Sequence, residues 1–209
     1  MLIVALTVVG VASVAVIWHL AATSRVRLIP AMALVVGLLG LASVATGRVH
    51  LSPRLSPAAA ILAGIVSGAG LYLATVAFVR QVRRWARTER HLRWSAFDRH
   101  VDDLYDRGGG LPLWPSVAMA ALVVAPAEEA FWRGLLQGQV AAGLGWPVGA
   151  LVVWLVYVAA NVASRSLPIL AGAVVCGAAW SGLALWTRGV LAGAICHVLW
   201  TGLMILRPP

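Results

Sequence analysis

The sequence contains no lysine, only seven acidic residues and only two cysteines among its 209 positions. Charged residues make up 11% of the chain, whereas a water-soluble domain carries about a quarter. That shortage excludes an ordinary solvated surface and points to lipid as the solvent. Both cysteines, Cys176 and Cys196, lie inside apolar stretches, so they read as small packing residues and not as a disulfide framework. No basic segment precedes the first apolar stretch and no clear small-residue cleavage site follows it, so a retained helix is expected there instead of a signal peptide. No His-Glu-x-x-His occurs, and His197 is the one histidine beyond residue 110. A zinc protease is therefore disfavoured, and neither a metal nor another cofactor is expected. No internal repeat is visible, which argues against a transporter built from inverted repeats.

Hydrophobic residues supply 61% of the chain. A helix needs roughly 20 apolar residues to cross a hydrocarbon core of about 30 Å. Stretches of that kind recur at about Leu2–Leu20, Leu28–Thr46, Ala59–Val79, Leu113–Val140, Trp146–Ala163, Pro168–Trp186 and Val190–Leu206. Uninterrupted apolar runs of this length exclude barrel strands. The expected fold is all-α: a polytopic transmembrane bundle of about seven helices, with a four-helix core carrying the polar residues.

The net charge of +9 comes from arginine alone, and eight of the sixteen arginines fall between Arg80 and Arg107. The positive-inside rule places that connection in the cytoplasm. Alternating the spans then puts Arg25, Arg27, Arg165 and Arg207 inside and Arg48, Arg54 and Arg188 outside. The N-terminus is expected outside and the C-terminus in the cytoplasm, in the inner (plasma) membrane. Topology accounts for the basicity, so no nucleic-acid partner is expected.

Three regions separate along the chain. Residues 1–79 form three spans without an acidic residue, and their Gly64-Ile-Val-Ser-Gly68 spacing suits close helix packing. Residues 80–110 read as an arginine-rich amphipathic segment lying at the cytoplasmic interface. Phe97, Val101, Leu104 and Tyr105 share one helical face there, and Gly108–Gly110 offers a hinge. Residues 111–209 hold four spans and the unusual polar groups.

Five of the seven acidic residues lie in the 80–110 segment; the other two are adjacent in Pro126-Ala-Glu128-Glu129-Ala-Phe-Trp132-Arg133-Gly134. A charge at mid-bilayer costs about 2.5–3.5 kcal/mol on insertion scales, so three together need a reason. Glu129 and Arg133, four apart, share a face and can pair. That pair alone could be a fastener between helices. Glu128 is turned about 100° away, beside Trp132, with no local partner. Pro126 lacks an N–H and frees the carbonyl of Leu122 one turn before the glutamates, opening the helix. Irregular backbone at membrane depth is tolerated where it lines a cavity or packs in protein. Glu128 is thus the candidate general base. Two later spans each add a polar pair four apart, Tyr157 with Asn161 and His197 with Thr201. Each could be an ordinary interhelical hydrogen-bonding pair, or all could converge on one pocket. A separation of about 4–8 Å between the Glu128 carboxylate and the His197 ring would mark a shared site.

These residues resemble the CPBP family of CAAX proteases and bacteriocin-processing enzymes, also called the Abi family. Its first motif, Glu-Glu-x-x-x-Arg with an aromatic before the arginine and a glycine after it, is matched by Glu128-Glu129-Ala-Phe-Trp132-Arg133-Gly134. A later motif, a histidine ten residues after a Thr-x-Gly turn, is matched by Thr187-Arg-Gly189 and His197. The resemblance covers about residues 111–209. It implies an intramembrane glutamic endopeptidase in which Glu128 activates water, His197 donates to the developing charge, and Glu129 with Arg133 orients the site. Its partners would be the bilayer and a peptide or membrane-tethered protein substrate. Two positions depart from the family pattern. Tyr157-x-x-x-Asn161 stands where the family has Phe-x-x-x-His, and Thr201 stands where an Asn follows the last histidine by four. Asn161 can hold a water but cannot shuttle a proton, which leaves His197 as an alternative acid or base. It also leaves open a catalytically silent protein that binds or protects a partner. Arginine in place of lysine throughout points to a GC-rich bacterial genome, which weakens the expectation of a prenylated substrate.

Overall fold

The computed structural model describes residues 2–88 and 111–209. Expectations for the face built from Phe97, Val101, Leu104 and Tyr105, and for the Gly108–Gly110 hinge, lie outside the described residues. Within them the chain forms seven helical rods and no strand. We label them α1 (Leu2–Ala22), α2 (Leu28–Ala45), α3 (Pro57–Thr88), the composite α4, α5 (Trp146–Val162), α6 (Leu167–Thr187) and α7 (Leu191–Leu206). Four of them, α1, α2, α3 and α6, are long and apolar enough to cross a membrane. The 17 residues of α5 and the 16 of α7 reach only about 25 Å at 1.5 Å per residue.

Burial runs opposite to that of a soluble domain. Val8, Leu34, Leu38, Leu41, Leu62, Leu151, Leu155 and Val175 face outward, while Glu129, Arg133 and Gln137 are among the most deeply buried side chains. Outward apolar faces suit lipid, and inward polar groups must find partners across helices.

Helix α3 runs on to Thr88, beyond the expected end of its apolar span at Val79. The extension Arg80-Gln-Val-Arg-Arg-Trp-Ala-Arg has no glycine or proline and is rich in good helix formers, so nothing stops the helix where the hydropathy falls. Its start is sharper: Pro57 occupies the first turn, and the Ser56 hydroxyl accepts the Ala59 N–H at 3.3 Å.

The Gly64 and Gly68 face of α3 lies directly on α7. A Cβ at Gly64 would stand 2.7 Å from the Ala192 carbonyl oxygen, and one at Gly68 would stand 2.8 Å from that of Cys196. Gly64→Val is expected to lower stability by about 1–3 kcal/mol through overpacking. Gly70 has nothing within 4 Å of such a Cβ, so Gly70→Ala should not lower it. Unfolding midpoints of the two variants in mild detergent check this contrast.

Helix α4 alternates between α- and π-helical turns. Leu113–Val117 is α-helical, Ala118–Val124 π, Ala125–Glu128 α, Glu129–Leu136 π, and Gln137–Leu144 α. The Ala125 N–H reaches back five residues to Ala120, just before Pro126 removes the next donor. The wide turns and the proline thus occur together, and such turns concentrate at functional sites. Gly145 at φ 83° then ends the rod, and α5 begins at once with Trp146-Pro147.

The connection between α2 and α3 fixes the start of α7. The Val190 N–H donates to His50 O at 3.0 Å, Leu191 N–H to Leu51 O at 2.9 Å, and Arg54 N–H to Thr187 O at 3.3 Å. The Thr187 hydroxyl bonds Leu183 O and Gly189 O, at 2.9 and 3.1 Å. Any side chain at Gly189 would strike the Leu51 carbonyl. This turn sets the height of His197, two turns further along α7.

Candidate active site

Helix α4 is stitched to α6 at two successive levels. Arg133 Nη2 donates to Gly177 O at 3.2 Å, and Gln137 Nε2 donates to Ser181 O at 3.1 Å. Donors four apart on one helix meet carbonyls four apart on the other, which fixes the register between them. Gly177 also admits Tyr157, whose Cδ1 would lie 2.9 Å from a Cβ there.

In that frame Arg133 Nη1 sits 3.3 Å from Glu129 Oε1, with both side chains buried. The guanidinium is further held over the rings of Tyr157 and Trp180, at 4.5 and 5.4 Å from their centroids. The same Glu129 oxygen lies 3.0 Å from His197 Nδ1. Gly193 makes this approach possible, because a Cβ there would stand 2.9 Å from Glu129 Oε2. The imidazole is also stacked on Trp180, with centroids 3.6 Å apart and planes 16° from parallel.

The other ring nitrogen, Nε2, faces Glu128 Oε2 at 3.9 Å. The two glutamates therefore bracket one imidazole: Glu129 holds one nitrogen and Glu128 stands off the other. The arginine is spent on Glu129 and not on Glu128. Helical geometry separates the two carboxylates by a turn of about 100°, and the histidine of another helix rejoins them.

Glu128, Tyr157, Asn161, His197 and Thr201 all line a cavity of about 480 Å³, whose wall is otherwise mainly apolar. That size and character suit a small-molecule or peptide-segment site. Asn161 is buried and donates its amide to Tyr157 O at 2.8 Å, back onto its own helix. Trp132 does not line the cavity; it is fully buried and packs edge-on against Phe131 and Tyr157. Two neighbours, Trp180 and Gly193, complete the site without belonging to its motifs. Trp180 carries the imidazole, and a tryptophan in mid-span, away from the interfacial belts such residues favour, was a legible signal. Gly193 had none, since its role depends on which side chain faces it.

Residues 110–203 match the family model described as Type II CAAX prenyl endopeptidase Rce1-like. The matched segment, a little under half of the chain, is similar to that family. It contains both glutamates, Arg133, Asn161, His197 and Thr201, and it supports a protease-type membrane enzyme in general. No curated protein and no solved structure matches the chain.

Proposed function

We propose that the protein is an intramembrane glutamic endopeptidase that hydrolyses a peptide or membrane-tethered protein entering the Glu128 cavity. The observation that carries this reading is the division of labour around His197. In the tautomer this mechanism requires, Glu129, held by Arg133, accepts the Nδ1–H across 3.0 Å and the Nε2 lone pair is directed at Glu128. The logic is that of a carboxylate orienting an imidazole for work at its other nitrogen. A water making hydrogen bonds of about 2.8 Å spans the 3.9 Å gap between Nε2 and Glu128 Oε2. Such a water is polarised from both sides, with its lone pair free for a carbonyl carbon.

Glu128 takes the proton as the water attacks, and that proton, relayed through His197 Nε2, goes to the departing amine as the C–N bond breaks, which returns both groups to their starting states. The second Asn161 amide hydrogen and the Thr201 hydroxyl are the cavity donors that can face the oxyanion. His197 thus works as acid and base, not as the oxyanion donor that the family resemblance implies. The apolar cavity wall suits the hydrophobic part of a membrane-tethered substrate. Its lining comes from the ends of α1, α5 and α7 that lie beside Arg25, Arg165 and Arg207. The positive-inside rule puts that end, and substrate entry, on the cytoplasmic side.

The test is cleavage of a fluorogenic peptide, with and without an attached isoprenoid, by the protein in proteoliposomes. The Asn161→His variant separates this enzyme from a catalytically silent binding protein. On the proposed mechanism His197 already moves the proton, so the variant should change the rate by less than about tenfold, well below the roughly 10²–10⁴-fold that a newly supplied acid–base group would contribute. A silent parent awakened by Asn161→His would instead establish the binding protein.

A further inference from the structure

The helix ends opposite the Glu128 cavity enclose a second pocket, of about 300 Å³, lined among others by Arg48, His50, Arg133, Gln139, Trp146 and Arg188. It gathers three arginines and a histidine. The only acidic side chains among the described residues, Glu128 and Glu129, are both committed to the His197 site. Arg133 is paired with Glu129, but Arg48 and Arg188 have no carboxylate partner among the described residues.

The guanidinium groups are positioned, not merely crowded. Arg188 lies over the Trp146 ring, 4.6 Å from its centroid, and Arg48 Nη1 bonds Gln139 Oε1 at 3.2 Å. Nε and Nη1 of Arg188 are buried and have no hydrogen-bond partner among the described residues. The same is true of Nε of Arg133, a residue only 1% exposed. Buried donors without acceptors are costly, so an acceptor that completes them is favoured. Arg188 also holds a left-handed backbone, φ 59°, where glycine or asparagine sits more cheaply. A long cationic side chain is kept there against that preference. Partial desolvation and the like charge of Arg54 lower the pKa of Arg188, which an anion would reverse.

We propose that this pocket binds a phosphate group, with Arg188 and Arg48 as its main donors and Arg133 at its floor. A phosphate offers the several acceptor oxygens that a set of guanidinium forks requires. The pocket lies at helix ends and includes Trp146, and the exposed Trp186 stands two residues before Arg188, the level at which tryptophan marks the headgroup region. A phospholipid headgroup and free phosphate share this chemistry.

The test uses the full chain in uncharged detergent, read as the shift in unfolding midpoint on adding phosphatidylglycerol, phosphatidylcholine or inorganic phosphate at constant ionic strength. Phosphatidylglycerol should raise the midpoint by several degrees. Arg48→Gln and Arg188→Asn should each lose most of that rise. Arg48 is exposed, and asparagine tolerates the left-handed backbone at position 188, so both variants keep the fold. A rise with phosphatidylglycerol alone assigns a lipid headgroup. A comparable, variant-sensitive rise with inorganic phosphate assigns a soluble anion. Equal rises in parent and both variants, or no rise with any of the three, overturn the site.

Discussion

Glu128→Gln should slow peptide hydrolysis by about 10²–10⁴-fold, the range that a positioned general base contributes, and leave the unfolding midpoint nearly unchanged. The two halves of this expectation come from one geometry. Glu128 shares no ion pair with Arg133, which is bound to Glu129 instead. Its ionisable partner is His197 Nε2 at 3.9 Å, across a cavity. The amide has the same shape and removes only the ability to take a proton, so no buried ion is stranded. His197→Gln should cost a similar factor, and the double variant little more, because the two groups act on one water. Single-turnover cleavage in proteoliposomes, read beside thermal unfolding, supplies both numbers. Full-rate cleavage by a folded Glu128→Gln protein would remove the proposed base.

The bundle was legible because lipid imposes a simple rule on composition. Apolar runs long enough to span, punctuated by Gly145-Trp-Pro147 or Thr187-Arg-Gly189, mark their own ends, and the helices follow them. Where hydropathy and helix formation part company, as at Arg80–Thr88, the run gave the wrong end for α3. Within α4 the motif itself was plain, and the pairing of Glu129 with Arg133 is a local, four-residue contact. Pro126 foretold an opened helix, though not π turns on both sides of it. What one chain segment cannot reveal is its partner. That both glutamates reach His197 depends on the height of α7, which the 46–56 connection sets through Val190 and Leu191. The orientation of Asn161 back toward Tyr157 depends on its own rotamer. The basic pocket joins Arg48 to Arg188 across 140 positions of sequence, each unremarkable alone.

Arg133→Met should destabilise the protein by about 3–5 kcal/mol, as expected when one member of a buried ion pair is removed. The loss has several parts. Glu129 Oε1 loses its 3.3 Å partner, Gly177 O loses a 3.2 Å donor, and the cation between the Tyr157 and Trp180 rings disappears. Glu129 Oε2 already lacks a hydrogen-bond partner among the described residues, so the carboxylate has little left to offset its burial. The nearest remedy is a proton on His197, which still lies 3.0 Å from Glu129. That proton would occupy Nε2 and turn the acceptor aimed at Glu128 into a donor. Activity should therefore fall along with stability. Glu129→Gln combined with Arg133→Met removes the stranded charge and should recover much of the lost stability. It should not recover hydrolysis, because the carboxylate that oriented Nδ1 is gone. Denaturation in mixed micelles and cleavage in proteoliposomes separate the two effects. An Arg133→Met protein as stable as the parent would mean that Glu129 is not held as an anion by Arg133, and the orienting role of the pair would fall with it.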